Sequence, residues 1–245
     1  MKIHKLSFIL AGLLSFQAQA DTIGFRAGGG IWDHDPGGSF RFQGTNADLD
    51  NDFNLKDDKE GYFFVQIEHP APLIPSVRIQ STKLRSTGTG SVSTSFIFGG
   101  TTYNASTNVT TELTLDHTDY TLYWQPLDNF AVFDLGITVK SIDGKSSITD
   151  GTTLETNSFD GYIPMLYAAI GFEPMDSLEF RLEVNALGAD GNSVTDTTAK
   201  VSYTTDLMLG IEAGFRKISI ELDDVDQVFA NMDFEGPFMG VYMNF

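Results

Sequence analysis

The chain has 245 residues, with 15 Lys+Arg against 33 Asp+Glu and a formal net charge of −18. That balance argues against a nucleic-acid partner, because phosphate binding needs basic patches. The absence of cysteine excludes a disulfide framework, a thiolate metal site and a cysteine nucleophile.

Residues 1–20 read as a secretory signal peptide. Lys2 and Lys5 give a positive n-region, Leu6 to Phe16 an apolar run too short to span a bilayer, and Ala18-Gln19-Ala20 a small-x-small cleavage site. Cleavage is expected after Ala20, leaving one domain over 21–245. No later stretch approaches the ~18 apolar residues of a membrane helix. A membrane protein without such helices must be a closed barrel, since unpaired backbone groups are too costly in lipid. The 24 glycines and 20 phenylalanines suit tightly packed strands with an aromatic exterior.

Alternation of apolar and polar residues predicts strands near 22–33, 60–69, 76–86, 112–125, 129–140, 160–173, 178–186, 207–216, 217–224 and 234–245. The clearest is Leu178–Ala186, where Leu178, Phe180, Leu182, Val184 and Ala186 oppose Glu179, Arg181, Glu183 and Asn185. In a barrel the apolar face meets lipid and the charged face the lumen. Phe133, Leu135, Ile137 and Val139 likewise oppose Asp134, Gly136, Thr138 and Lys140, and Leu207 to Phe215 repeats the pattern. The expectation is an all-β, closed antiparallel transmembrane barrel of about ten strands, with eight as the alternative.

Connections alternate short and long. Short turns are expected at His69-Pro70-Ala71-Pro72, Gln125-Pro126-Leu127-Asp128, Glu173-Pro174-Met175-Asp176 and Phe215-Arg216-Lys217. Long loops are expected near 34–59, 87–111, 142–159, 188–203 and 225–233. Short periplasmic turns with longer external loops would place both termini in the periplasm. The second long loop carries its own hairpin signal at Phe96–Tyr103, centred on Gly99-Gly100. Leu113 and Leu115 lie in opposite phase to Tyr120, Leu122 and Trp124, which predicts a bulge or a change of environment near His117.

Candidate chemistry is sparse. Asp48, Asp50, Asp52 and Asp57 in the acidic first loop could make a loose oxygen-ligand site for divalent cations. Phe53 and Lys59 stand where an EF-hand requires Gly and Glu. Arg26, Glu68, Arg78, Arg181, Glu183, Glu212, Arg216 and Glu221 all fall on the expected inner face. A barrel of this size has an interior largely filled by side chains, and buried charges there must pair. That reading gives a plugged lumen, and its alternative is a narrow ion or solute path. Asp116 and His117 are sequence neighbours and so point to opposite faces. No catalytic constellation emerges, and neither an enzyme nor a cofactor is expected.

At the C-terminus Met239, Val241, Met243 and Phe245 share an apolar face. A closing strand with a terminal Phe looks like the signal that outer-membrane barrels present to their assembly machinery. The segments ADTIGFRAGGGIW at 20–32, IEHPAPLIPSVRIQ at 67–80, FIFGGTTYNA at 96–105, LDHTDYTLYW at 115–124, IPMLY at 163–167 and FEGPFMGVYMNF at 234–245 resemble a proteobacterial outer-membrane barrel family noted for a Gly-Gly motif. The resemblance implies a barrel in the outer membrane, in contact with lipid and lipopolysaccharide. It implies no activity and no catalytic residues. The expected role is structural or surface-interacting, with a small ion or solute channel as the alternative and a rim-located outer-membrane enzyme as the less favoured one.

Overall fold

The computed structural model describes residues 23–42, 47–49, 51–71, 73–128, 130–225 and 228–245. The signal peptide, its cleavage site, Asp50 and Asp226 lie outside the described residues. The strands in chain order are β1 (Gly24–Phe42), β2 (Ala47–Asp48), β3 (Asp58–Glu68), β4 (Ser76–Thr82), β5 (Arg85–Ser91), β6 (Phe96–Phe98), β7 (Thr101–Tyr103), β8 (Asn108–Asp128), β9 (Ala131–Thr149), β10 (Leu154–Met175), β11 (Leu178–Ala189), β12 (Asn192–Thr204), β13 (Leu209–Val225) and β14 (Val228–Asn244).

Ten of these make a closed antiparallel wall in the order β1, β3, β4, β8, β9, β10, β11, β12, β13, β14, and β14 returns to β1. Closure runs from Arg26 opposite Asn244 to Phe42 opposite Val228, as the two predicted terminal strands require. β5 continues the line of β4 along β8 after a break at Lys83-Leu84. β6 and β7 form the expected hairpin, with Gly99 and Gly100 both at positive φ. Among the described residues no helix is long and apolar enough to cross a membrane.

The count of ten agrees with the sequence pattern, but two boundaries differ and cancel. Residues 192–203, expected as loop, form all but the last residue of β12. Residues 207–216 and 217–224, expected as two strands joined by a turn at 215–217, are one strand, β13. Expected loops 142–159 and 188–203 shrink to turns at 150–153 and 190–191 because the strands run on.

One physical cause lies behind these differences. A membrane-crossing strand needs about 9–11 residues, whereas β8, β9 and β10 have 21, 19 and 22. Near the termini the wall is inverted, with Leu122, Ile137, Ile170, Phe180, Ile211 and Val241 exposed outward. Further along the same strands the apolar residues change sides. Leu113 and Leu115 on β8, Ile148 on β9, Ile218 on β13 and Phe234 on β14 are buried inside. Register along β8 is continuous through His117, so the phase shift there is a change of environment and not a bulge.

Above the inverted zone the interior is an apolar core. Leu49, Phe53 and Leu55 from the β2–β3 connection, and Val92, Phe96, Phe98 and Tyr103 from the β5–β8 connection, fold inward onto Trp32, Leu113, Leu115, Ile148, Ile218 and Phe234. Each side chain so buried contributes about 1.5–3 kcal/mol. The loops therefore close the end of the barrel away from the termini.

Candidate functional site

Within the inverted zone the inward positions carry charge, and the strand period of two brings those charges from neighbouring strands to common heights. Two connected layers result.

Arg181 of β11 centres the layer nearer the termini. Its Nε donates to Glu183 at 3.1 Å and its Nη1 to Glu179 at 3.0 Å; Nη2 bonds Asp134 and reaches the Tyr167 hydroxyl at 3.3 Å. Arg78 donates to the other oxygen of Glu183 at 2.5 Å and to Gln80 at 2.6 Å. Lys200 of β12 lies 3.1 Å from Glu183 and 3.5 Å from Glu212. Glu212 accepts the Tyr62 hydroxyl at 2.6 Å. Glu68 accepts from Tyr123 at 2.8 Å, Gln125 at 3.2 Å and Gln66 at 2.7 Å. Arg26 lies 3.6 Å from Glu179 and over the ring of Tyr242.

The second layer sits beneath the apolar core. Lys140 Nζ bridges Asp119 and Asp196 at 2.8 and 3.0 Å. Arg216 binds Asp196 in bidentate fashion, Nε at 2.9 Å and Nη2 at 2.7 Å, and donates to Thr82 at 3.0 Å. Its guanidinium also lies over Trp32, 5.1 Å from the ring centroid. His117 donates from Nδ1 to Leu115 O at 2.9 Å, leaving Nε2 to accept from Arg216 at 3.2 Å. His117, Asp119 and Asp196 come together at metal-ligand spacing. Lys140 and Arg216 already meet both carboxylates, however, and His117 has spent its lone pair. The trio is thus a filled ion-pair cluster with no charge deficit for a metal. A space of about 20 Å³, lined by Trp32, Tyr62, Arg78, Lys200, Glu212 and Arg216, separates the layers, room for about one water.

Of the eight expected lumen charges, Arg26, Glu68, Arg78, Arg181, Glu183, Glu212 and Arg216 point inward, the first six into the layer nearer the termini and Arg216 into the second. Glu221 does not. β13 is one strand, so Glu221 has the opposite parity to Arg216; it is exposed on the outer face and accepts from Ser193 at 3.2 Å. Sequence reasoning missed Asp196 and Lys200 because β12 carries threonines where a lipid-facing strand would show apolar alternation. Asp134, Lys140 and Glu179 were visible on the polar faces of their strands. Their pairing depended on cross-barrel distances that no sequence period encodes.

The acidic loop is organised by its own hydrogen bonds. Asp48 accepts from Asn51 N at 2.8 Å and Asn51 Nδ2 at 3.2 Å. Asp52 accepts from Asp48 N at 3.0 Å, Ser93 N at 2.9 Å and Ser93 Oγ at 2.6 Å, tying the first loop to the second. Asp57 is exposed. Asp48 and Asp52 thus each accept hydrogen bonds from protein donors, and Asp50, the third expected ligand, lies outside the described residues. At the other end Met239, Val241, Met243 and Phe245 are exposed outward. Phe245 closes the seam by exchanging backbone hydrogen bonds with Phe25 at 2.8 and 3.0 Å.

No family model and no curated protein matches the chain. Among solved structures it is similar to Ail, the attachment invasion locus protein of Yersinia pestis, at 9% identity over 92% of this chain and 100% of that one, with a TM-score of 0.42. It is also similar to the transport unit of the autotransporter AIDA-I from Escherichia coli, at 11% identity over 95% and 93% with a TM-score of 0.42. A third is a major outer membrane protein from Thermus thermophilus, at 12% identity over 92% and 100% with a TM-score of 0.32. At such distances the role has to be read from this chain's own residues.

Proposed function

We propose that the chain is exported, cleaved after Ala20 and inserted into the outer membrane as a sealed barrel that acts through its external surface. The termini then lie in the periplasm, and the apolar core with its loops stands outside the cell. One observation carries this reading: the lumen is blocked twice, by a paired charge network within the wall and by inward-folded loops above it. No catalytic role is assigned to the His117 cluster, whose charged groups neutralise one another. The barrel-assembly machinery would read the apolar face ending in Phe245. Lipid and lipopolysaccharide would surround the wall, with divalent cations screening the acidic external end.

Planar-bilayer recording on the refolded mature chain tests the reading. No stable conductance step is expected in molar potassium chloride. Long-lived ohmic steps would favour the channel alternative and sink the sealed barrel.

A further inference from the structure

β10 is 22 residues long, and among the described residues its outer half pairs with a strand on one side only. From Leu154 to Pro164 it pairs with β9, whereas its pairing with β11 begins at Leu166. The cause is the short β11–β12 hairpin, which turns back at Asp190 and Gly191, both at positive φ. The opposite edge of the same projecting sheet is covered. Along β5, Asn54 Nδ2 donates to Thr89 O, Lys56 N donates to Thr87 O, and Leu55 bridges Gly88.

Pro164 shows which backbone groups are free. Proline has no N–H and is tolerated in a sheet where that side lacks a partner. Glu173, of opposite parity, donates its N–H to Phe130 O on the β9 side. Backbone groups alternate sides along an antiparallel strand. Leu154, Thr156, Ser158, Asp160 and Tyr162 therefore turn their N–H and C=O to the open edge. Edges this long are normally shortened, covered or blunted; Pro164 blunts only the base of this one.

The side chains add a charge preference. Asp116, Asp143 and Asp160 are cross-strand partners in one outward row over β8, β9 and β10. Lys83 meets Asp116 at 2.5 Å at one end of the row. Among the described residues neither Asp143 nor Asp160 makes an ion pair, and like charges facing each other across a ladder are unfavourable. The next place in the row is the open edge itself. A strand added there with Lys or Arg opposite Asp160 would close the row with a cation at each end.

We propose that the edge of β10 over Leu154–Tyr162 docks an extended, cationic segment of another protein by strand addition, with a basic side chain beside Asp160. This names the partner class for the surface-interaction reading above and rests on it.

The probe is a labelled ten-residue peptide alternating Lys and Val, added to the full mature barrel in phosphatidylcholine nanodiscs. Amide exchange at Leu154, Thr156, Ser158, Asp160 and Tyr162 should slow at least tenfold at saturation. Asp160→Lys should weaken binding at least tenfold, and Ser158→Pro should abolish it while leaving the β9 pairing intact. The same peptide N-methylated at alternate residues should not bind. Unchanged exchange at those amides in millimolar peptide overturns the proposal, as does equal binding of the N-methylated peptide. A peptide-free dimer in the ultracentrifuge that protects the same amides assigns the edge to a second copy and also overturns it. Conductance measured on the same preparation reports separately on the sealed-barrel reading.

Discussion

Phe215 and Ile218 lie on one unbroken strand yet face opposite sides of the wall: Phe215 is 48% exposed and Ile218 3%. Between them the apolar face of the strand changes sides. Below, apolar side chains point outward and the interior carries charge; above, the apolar side chains turn in.

The charge network should respond asymmetrically to truncation. Arg181→Ala leaves Asp134, Glu179 and Glu183 short of a cation inside the wall. A loss of about 3–5 kcal/mol is expected, because an uncompensated buried charge remains. Urea unfolding of the refolded barrel checks this. A loss under about 1 kcal/mol would mean that water reaches the layer freely.

The cap should unfold separately from the barrel. Phe53 is buried beneath the loops and stacks edge-on against Phe96. Phe53→Ala should cost about 3–5 kcal/mol locally. Proteases should then cut within residues 92–107, while the barrel still shows heat-modifiable migration. Cap and barrel lost together would show that the two zones are one cooperative unit.

Acid should loosen the loops through Asp52. Burial alone would raise its carboxyl; hydrogen bonds from Asp48 N and from the Ser93 hydroxyl and N–H outweigh burial and hold it below the ordinary carboxylate value. A depressed carboxyl contributes stability that is complete above the unfolded value of about 4 and disappears as pH falls through the folded value. Protection of the Ser93 amide, measured against its intrinsic exchange rate at each pH, should fall below about pH 4 in the parent chain. Asp52→Asn should lower that protection at neutral pH and flatten the pH response. A parent profile flat to pH 2 would remove Asp52 as the tether.

Deleting Phe245 should block insertion and leave export intact, since its backbone and ring close the seam against Phe25. Fractionation should find the truncated chain in the periplasm or degraded. Normal amounts of heat-modifiable barrel in the outer membrane would count against the assembly role.

What could be read from the sequence follows the same change of sides. β11 lies wholly in the inverted zone, and Phe180 and Leu182 against Arg181 and Glu183 made it legible, faces included. β13 crosses the boundary, and the flip after Phe215 imitates a turn, which split the strand and sent Glu221 to the wrong side. β12 presents Thr195 and Thr197 outward with Val194 and Asp196 inward, a mixture with no period to detect. Asp196 was lost with it, and so was the partner that joins Lys140 to Arg216.

In the membrane placement proposed above, the change of sides also determines how deep the barrel sits. Just beyond it the outer face carries Lys59 with Asp33, Lys83 with Asp116, and Lys217 with Asp233 and Glu235. Sinking the wall by two residues, about 7 Å, would drag this ionic collar into hydrocarbon. Raising it by as much would leave an apolar belt in water. The barrel thus carries its own gauge of bilayer thickness, and a lipid leaflet that mismatches it must thin or thicken around the wall.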